Sequence, residues 1–330
     1  MNLQTDYLGL RIEHPFILGA SPLAATLDRV RQAEDGGAAA IVIHSLFEEQ
    51  INRYERGLEA HVLAHQESFA EATSYFPWAI DYHFGPDRYL EHLRAVKAAV
   101  SIPVMASLNG TRLDGWSDFS AMIGETGVDA LELNLYHQPR DTEESAEMVE
   151  KRMLQGVEAV RQATDLPITV KLSPFFSSLP HFVYELEQRG VAGVVIFNRF
   201  YQPDIDIDNL ETVPRLVLSD SRELLLRLRW LAVLFGRYKM SLAVTGGVHT
   251  RDDAIKAVMA GADCIQMVSA PLQQGVSHFG KMRDALAAWL VEKEYESLQQ
   301  MKGSMSYLYA PNPEAIERAN YLRILQSWEP

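Results

Sequence analysis

Cysteine is nearly absent from this sequence: Cys264 is the single one among 330 residues. A lone cysteine excludes a disulfide within the chain and a cysteine-based metal cluster, as is usual for proteins of the reducing cytoplasm. Cys264 lies inside the apolar stretch "ADCIQMV", so we interpret it as a buried structural thiol rather than a reactive one. We therefore expect a cytoplasmic protein without a metal site.

Positive charge and long apolar runs are also scarce. Lysine and arginine number 30 against 44 aspartate and glutamate residues, which gives a formal net charge of −14. Nucleic-acid binding and polybasic membrane contacts need concentrated positive charge, so both are disfavoured. No apolar run reaches the ~18 residues of a membrane-spanning helix. The opening "MNLQTDYLGLRIEHPF" lacks the basic start and apolar stretch of a signal peptide. The sequence thus predicts a soluble protein.

Two short patterns recur where strands are expected to begin. In the first, a glycine precedes a small residue and an apolar run, as in "GAAAIVI", "GVDALEL", "GVAGVVI" and "GADCIQM". Glycine suits the left-handed position that ends a helix, so a strand can follow directly. In the second, a proline opens or precedes the run, as in "IPVMAS" and "LPITVKL", while "SLAVTGG" resembles these without the proline. These runs do not alternate with polar residues, which is typical of strands covered on both faces.

Helical stretches separate these strands, because their apolar residues recur at spacings of three and four. They cover residues 26–35, 87–100, 117–126, 144–164, 179–189, 221–238, 251–260 and 276–293. With "FILGA" (16–20) as the first strand, the chain has eight strand–helix units, the number in a (β/α)8 TIM barrel. The alternative is an open doubly wound sheet, but no GxGxxG follows the first strand. We predict the barrel, as one domain over residues 1–330.

Polar or small residues follow every predicted strand. In a TIM barrel the carboxyl ends of all eight strands meet at one face, which carries the active site. A single polar strand end means little, but eight that converge indicate a functional pocket. The residues are Ala20 and Ser21, His44 and Ser45, Ser107 and Asn109, Asn134 and His137, Lys171 and Ser173, Asn198 and Arg199, Thr245 with Gly246 and Gly247, and Ser269.

Two of these strand ends indicate an anionic ligand. Gly246 and Gly247 precede a helix, so backbone N–H groups and the positive helix end can approach a phosphate, and Ser269 follows the next strand. Lys171 ends an apolar strand, where a buried ammonium is unfavourable without an anionic partner. The pyrimidine edge of a flavin or a substrate phosphate could be that partner.

These motifs, taken in their order along the chain, resemble those of the dihydroorotate dehydrogenase family. "ELNLYHQP" resembles the family's Glu-Leu-Asn-Leu-Ser-Cys-Pro-Asn strand, "VKLSPFF" its Val-Lys-Leu-Pro-Pro stretch, and "VTGGVHTRDDA" its Gly-Gly-Ile phosphate segment. The opening "YLGLRIEHPFILGAS" is similar to its N-terminal hairpin and first strand. The correspondence spans nearly the whole chain, up to "GADCIQMVSAPLQQG" and the helix after it.

The resemblance implies an FMN-dependent enzyme that oxidises dihydroorotate to orotate in pyrimidine biosynthesis. It also implies that the protein belongs to the soluble class, whose members are typically dimeric. No motif in the sequence identifies the electron acceptor. Asn134 and Asn198 would contact the substrate, and Lys171 the pyrimidine edge of the flavin. The positions expected at the cofactor are Ala20, Ser21, His44, Ser45, Asn134, Lys171, Gly246, Gly247 and Ser269.

Several positions depart from the family pattern. His137 occupies the position of the family's catalytic base, which is a cysteine or a serine there. His44 replaces a lysine that lies near the flavin in the family, and Pro139 replaces a substrate-binding asparagine. "EATSYFPW" replaces the family's Asn-Ser-Met-Gly loop. Asp220 replaces a glycine of the family in the connection that follows the sixth strand. A neutral imidazole can accept a proton at pH 7, so we predict that His137 is the base.

These departures leave other functions open. The first is an FMN oxidoreductase of the same fold that acts on a different small unsaturated compound. The second is a flavin-less lyase or synthase that uses the phosphate site for its substrate, and the third is a non-catalytic barrel that binds a partner.

The C-terminal segment lies beyond the barrel, which we expect over about residues 14–293, with an extension over about 294–330. "PEAIERANYLRILQSW" has helical spacing of apolar residues after an Asn-Pro start. We expect this helix to pack against the barrel or a second subunit through Ile316, Ala319, Leu322, Ile324 and Trp328.

Overall fold

The fold is a closed parallel β-barrel surrounded by helices. A computed structural model describes residues 1–51, 86–110, 116–135, 137, 139–199, 202–213, 216–316 and 321–327. The loop "EATSYFPW" lies outside the described residues. The strands are β1 (Thr5–Tyr7), β2 (Leu10–Ile12), β3 (Phe16–Leu18), β4 (Ile41–Val42), β5 (Leu46–Phe47), β6 (Val104–Gly110), β7 (Ala130–Leu135), β8 (Ile168–Leu172), β9 (Gly193–Ile196), β10 (Asp204–Asp206), β11 (Glu211–Val213), β12 (Ser241–Thr245) and β13 (Cys264–Met267).

Eight of these strands form the predicted TIM barrel. They pair in the order β4-β3-β13-β12-β9-β8-β7-β6, and pairing of β4 with β6 closes the ring. The four glycines that precede the Gly-type strands all have positive φ, as expected for residues that end a helix: Gly37, Gly127, Gly190 and Gly261. The alternative, an open doubly wound sheet, is thereby excluded.

Eight helices follow the predicted positions within a few residues, and the short helices Ser269–Gln274 and Leu298–Met301 were not predicted. The helices are α1 (Leu27–Asp35), α2 (Pro86–Ala99), α3 (Trp116–Gly124), α4 (Ala146–Ala163), α5 (Leu179–Gln188), α6 (Leu224–Leu234), α7 (Arg251–Ala260), α8 (Ser269–Gln274), α9 (His278–Glu292), α10 (Leu298–Met301) and α11 (Tyr321–Gln326). The largest difference is α6, predicted over 221–238, which begins after a 3₁₀ turn at Ser221–Glu223 and ends at Leu234. Among the described residues, no helix is long and apolar enough to cross a bilayer.

The N-terminal hairpin closes one end of the barrel. β1 and β2 pair antiparallel, as predicted, through a turn at Leu8 and Gly9 with positive φ. Tyr7 is fully buried, and the Leu8 N–H donates to Ser241 Oγ at 3.0 Å. A Cβ on Gly193 would lie 2.5 Å from Leu8 Cδ2, so glycine allows the hairpin to pack closely on β9. The opposite end of the barrel, where the strands finish, remains available for a site.

The barrel interior is apolar next to the hairpin. Tyr7 packs there with one apolar side chain from most strands: Ile17, Val42, Met105, Ala130, Val195, Ala243 and Cys264. Cys264 is free and buried, and burial raises the pKa of its thiol, which confirms the predicted structural role. Toward the other end, the inward positions become polar, with Glu132, Lys171 and Gln266 buried there.

The C-terminal segment differs from the single predicted helix. It contains a 3₁₀ turn at Pro313–Ile316 and the short helix α11, with residues 317–320 and 328–330 outside the described part. Ile316 packs against the core, and its carbonyl accepts from Arg229 NH1 at 2.5 Å, so the extension does contact the barrel. Leu322, predicted to pack against the barrel or a second subunit, does not pack against the barrel, since it is 63% exposed in the single chain. The side chains of Ala319, Ile324 and Trp328 are not described.

Candidate active site at the barrel mouth

A hydrogen-bonded polar cluster lies where the central strands end. Asn134 Nδ2 donates to Ser107 Oγ at 2.9 Å, Leu108 O at 3.2 Å and Ser45 Oγ at 3.3 Å. The two serine hydroxyls are 2.8 Å apart, and Asn198 Nδ2 donates to Asn134 Oδ1 at 3.5 Å. The structure therefore brings together Ser45, Asn134 and Asn198 from three separate loops or strands, as predicted, and adds Ser107, which was predicted only as a strand end.

Strand geometry explains why these side chains meet. Successive strand residues alternate between the two faces, so Ala130, Glu132 and Asn134 of β7 face one side. Ala130 belongs to the interior apolar layer, so Glu132 and Asn134 also point into the barrel. Asn134 is paired in register with Lys171 of β8, which places the cluster next to this lysine.

Lys171 has a protein partner that the sequence analysis did not identify. Its Nζ lies 3.4 Å from Glu132 Oε1 and 3.4 Å from Gln266 Oε1. Gln266 Nε2 donates to Glu132 Oε2 at 2.6 Å, and all three side chains are buried. Lys171 thus does not need a bound anion to offset its charge. The available signal was the alternation in "ALELNL", which puts Glu132 two residues before Asn134 on the same face.

Gly246 and Gly247 form the expected turn after β12. Both have positive φ, and the Gly247 N–H donates to Ser219 Oγ at 3.4 Å. The Ser219 N–H in turn donates to Ser269 Oγ at 3.1 Å, so the two predicted phosphate loops meet through Ser219. A Cβ on Gly247 would lie 2.4 Å from the Leu224 backbone N, so this glycine also allows α6 to pack closely.

Basic groups surround this turn, and none was predicted from the sequence. His249 Nε2 lies 3.1 Å from Ser219 Oγ. The buried Arg227 donates to the carbonyls of Thr245 and Glu223, each at 2.5 Å. Burial lowers the pKa of Arg227, the nearby Glu223 carboxylate opposes this shift, and the charge of Arg199 adds to it. Glu223 Oε2 lies 3.4 Å from Arg227 NH2, so part of the positive charge beside the glycine turn is already paired within the protein.

The first two strand ends have different surroundings. Ser21 is buried, and its Oγ has no hydrogen-bond partner among the residues that the structure describes, with the half-buried Ala20 beside it. His44 lies against α2 instead: its Nδ1 is 3.4 Å from Ala24 O, and its ring is 5.6 Å from the rings of Tyr89 and His92. Burial lowers the pKa of His44.

His137 contacts an acidic residue at the start of α4. Its Nε2 lies 3.0 and 3.1 Å from the two carboxylate oxygens of Glu144, and Arg152 NH1 donates to Glu144 Oε1 at 2.5 Å. Hydrogen bonds from Arg152 and then from His137 lower the pKa of Glu144. Neither Glu144 nor Arg152 was predicted, because nothing in the sequence places α4 against the loop that carries His137.

His137 also borders a cavity of about 500 Å³ between the loops that follow β7 and β8. From the β8 loop, Ser173 and Phe176 line the opposite wall, and β8 carries Lys171 two residues before Ser173. Apolar side chains of α4, including Met153, form the floor. The imidazole is therefore accessible to a small molecule in this cavity, which neither Lys171 nor Asn134 lines.

Comparison with known proteins gives a consistent result. The family model described as "Dihydroorotate dehydrogenase" matches residues 83–290, which is more than half of the chain. These residues include β6 to β13 and therefore most of the polar cluster and the glycine turn.

Among curated proteins, the chain is 26% identical over 310 residues to the catalytic subunit of dihydroorotate dehydrogenase B (NAD(+)) of Pyrococcus abyssi, covering 91% of this chain and 98% of that protein. It is 23% identical over 309 residues to the subunit of the same name from Methanothermobacter thermautotrophicus, covering 91% and 97%. It is 21% identical over 323 residues to the NAD-dependent dihydropyrimidine dehydrogenase subunit PreA of Escherichia coli strain K12, covering 92% and 76%.

Proposed function

Because the chain belongs to the dihydroorotate dehydrogenase family, we propose that it is an FMN-dependent oxidoreductase that oxidises dihydroorotate or a related dihydropyrimidine at a CH–CH bond. The observation that carries the proposal is the Asn134 cluster beside Lys171. Asn134 and Asn198 offer amide donors and acceptors that match the carbonyl and N–H groups of a pyrimidine ring. Both lie at the carboxyl ends of barrel strands, the position of active sites in this fold.

The residues at the barrel mouth fit a bound FMN. The buried Ser21 hydroxyl has no partner within the described structure, so a ligand would satisfy it. The turn at Gly246 and Gly247, joined to Ser269 and flanked by basic groups, suits the phosphate. We propose that Ala20, Ser21, Ser45, Asn134 and Lys171 face the ring system. His44 supports the Ser45 loop from its position against α2.

The proposed roles follow from these contacts. FMN, when bound, accepts the hydride that the substrate loses. Lys171 brings a positive charge to the barrel mouth, and Glu132 and Gln266 hold its ammonium in place. Asn134 and Asn198 orient the substrate, and His137 accepts the proton from carbon. The hydroxyl and amide groups of the cluster are already hydrogen-bonded to one another, so their orientation costs little when a substrate binds.

The substrate need not be dihydroorotate itself. Pro139 and His137 replace the asparagine and the cysteine or serine expected from the resemblance. The Escherichia coli relative is named for dihydropyrimidine rather than dihydroorotate. This similarity favours an uncharged dihydropyrimidine as the second candidate substrate.

The names of the relatives also bear on partners. Those of Pyrococcus abyssi and Escherichia coli are each named as a subunit of a larger enzyme that uses NAD. We propose that this chain likewise passes electrons to a partner protein, and that it forms a homodimer, as the resemblance implies.

The absorption spectrum of the purified protein tests the proposal. We expect flavin absorbance, release of FMN on denaturation, and anaerobic bleaching by dihydroorotate or dihydrouracil. Bleaching by one compound and not the other identifies the substrate class. A colourless protein that does not take up FMN would contradict the proposal and favour a flavin-less lyase, a synthase or a partner-binding barrel.

A further inference from the structure

The contact between His137 and Glu144 has a defined direction. An ionised carboxylate only accepts hydrogen bonds, so Nε2, which lies 3.0 and 3.1 Å from its two oxygens, must carry a hydrogen. A neutral imidazole carries one hydrogen, and therefore its Nδ1 has the free lone pair. No hydrogen bond to Nδ1 occurs among the described residues. This arrangement leaves Nδ1 as the atom able to accept a proton.

Glu144 is itself held in place. Its backbone N–H donates to Asp141 O at 3.2 Å, and it directly precedes Ser145, whose side chain caps α4 by accepting from Met148 N at 3.2 Å. Arg152, two turns along the same helix, donates a hydrogen bond from NH1 to Glu144 Oε1 at 2.5 Å. The hydrogen bonds from Arg152 and His137 lower the pKa of Glu144, so the carboxylate stays ionised at neutral pH.

Other charged residues lie near the imidazole of His137, but none of those described takes the place of Glu144 as its hydrogen-bond partner. Arg140, from the same loop, and Glu150, from α4, line the cavity that His137 borders. The β8 loop contributes only uncharged residues to that cavity: Ser173, Phe175, Phe176 and Ser177. Among the residues that the structure describes, Glu144 is the carboxylate within hydrogen-bond distance of the ring.

We propose that Glu144 is a positioning residue for the base: it holds His137 in the Nε2–H tautomer and directs Nδ1 to the substrate, while Arg152 anchors Glu144. This inference rests on the proposed function, in which His137 is the base. In the proton transfer, the bond between carbon and hydrogen breaks and the proton moves to Nδ1. The electron pair stays with the substrate and forms the double bond as the neighbouring carbon loses its hydride, which the bound flavin would accept. The resulting imidazolium is stabilised by Glu144 and later releases a proton to water.

The test compares Glu144→Gln with Glu147→Gln, a matched control that removes the same charge from an exposed residue in the first turn of α4. Two quantities are measured: the rate at which dihydroorotate or dihydrouracil, whichever bleaches the wild type, reduces the bound flavin, and the ¹⁵N spectrum of the His137 ring. His137→Ala identifies the His137 signals. We expect Glu144→Gln to slow reduction about tenfold or more, since an amide no longer selects one tautomer.

The spectrum distinguishes this inference from the proposed function. We expect a pure Nε2–H tautomer in the wild type and in Glu147→Gln, a mixture in Glu144→Gln, and partial recovery of the rate in Glu144→Asp. If His137→Ala reduces its flavin at the wild-type rate, the base assignment itself is wrong. If His137→Ala is slow but Glu144→Gln keeps the wild-type rate or the wild-type tautomer, Glu144 does not position the base and the inference is overturned.

Discussion

The ammonium of Lys171 and the carboxylate of Glu132 lie 3.4 Å apart on neighbouring barrel strands, and both side chains are buried. A buried pair of this kind contributes little net stability, but removal of one member leaves an uncompensated charge. The pair therefore fixes a positive group at the barrel mouth at a defined distance from the Asn134 cluster, whether or not a ligand is bound.

The first prediction concerns this pair. Lys171→Met should lower the free energy of unfolding by about 3 kcal/mol, because Glu132 would stay buried with only Gln266 as partner. The double variant Glu132→Gln/Lys171→Met should recover most of that loss, since no charge remains. Urea denaturation of the two single variants and the double variant measures the coupling. Additive effects of the two substitutions would argue that the pair is not energetically linked.

The second prediction separates the two roles of the glycine turn. Gly247→Ala should destabilise the fold by about 1–3 kcal/mol, because φ is positive there and the new Cβ would meet the Leu224 backbone. A bulkier residue such as glutamate at this position would therefore disturb α6 as well as any phosphate. Ser269→Ala should lower the stability by only about 1 kcal/mol, through loss of the hydrogen bond that the Ser219 N–H donates to this hydroxyl, and should reduce the FMN content. Full FMN content in Ser269→Ala would remove this serine from the phosphate site.

The third prediction uses the buried His14. Burial, with a smaller contribution from the charge of Arg283, lowers its pKa from the ordinary 6.5 to about 4. The unfolded chain therefore binds a proton that the folded chain does not, so stability present above pH 6.5 falls as the pH drops toward 4.

Between pH 7 and pH 5, this histidine should account for a loss of about 2 kcal/mol. Urea denaturation at both pH values measures it. His14→Gln should show a smaller loss than the wild type, while His181→Gln, which changes an exposed histidine, should show the wild-type loss. An identical pH dependence in all three proteins would mean that His14 takes up its proton in the folded state as readily as in the unfolded one.

The fourth prediction concerns the C-terminal segment. Ile316 borders a cavity with Leu228 and Met259, so deletion of residues 312–330 should expose apolar surface and lower solubility or change the oligomeric state. Ile316→Ser should cost about 1 kcal/mol of stability, because its side chain is only partly buried. Leu322→Ser, which alters an exposed side chain, should change the elution volume in sizing only if a second subunit covers this helix. Unaltered sizing and melting of the truncated chain would exclude a packing role.

The barrel could be predicted because its signals are local. Most strands begin with a glycine or proline pattern and each helix has a continuous apolar spacing, so eight units follow from the sequence without knowledge of distant contacts. The convergence of Ser45, Asn134 and Asn198 also follows, since parallel strands in a barrel end at one face.

Contacts that depend on side-chain direction could not be predicted in the same way. β4 spans only Ile41 and Val42, so strand alternation does not extend to His44, which lies against α2. Glu132 was overlooked because it stands inside an apolar strand, although alternation with Asn134 places it inward. The partners of His137 lie on α4, and a sequence does not give the angle at which a helix meets a loop.

The most direct test of the central claim is the rate at which bound flavin is reduced in wild type and in His137→Ala, measured anaerobically by rapid mixing with dihydroorotate or dihydrouracil. The account predicts that one of these compounds bleaches the wild-type flavin, that His137→Ala slows the reaction by ~10² or more, and that FMN content is equal in the two proteins. Equal rates, or a wild-type flavin that neither compound reduces, would contradict it.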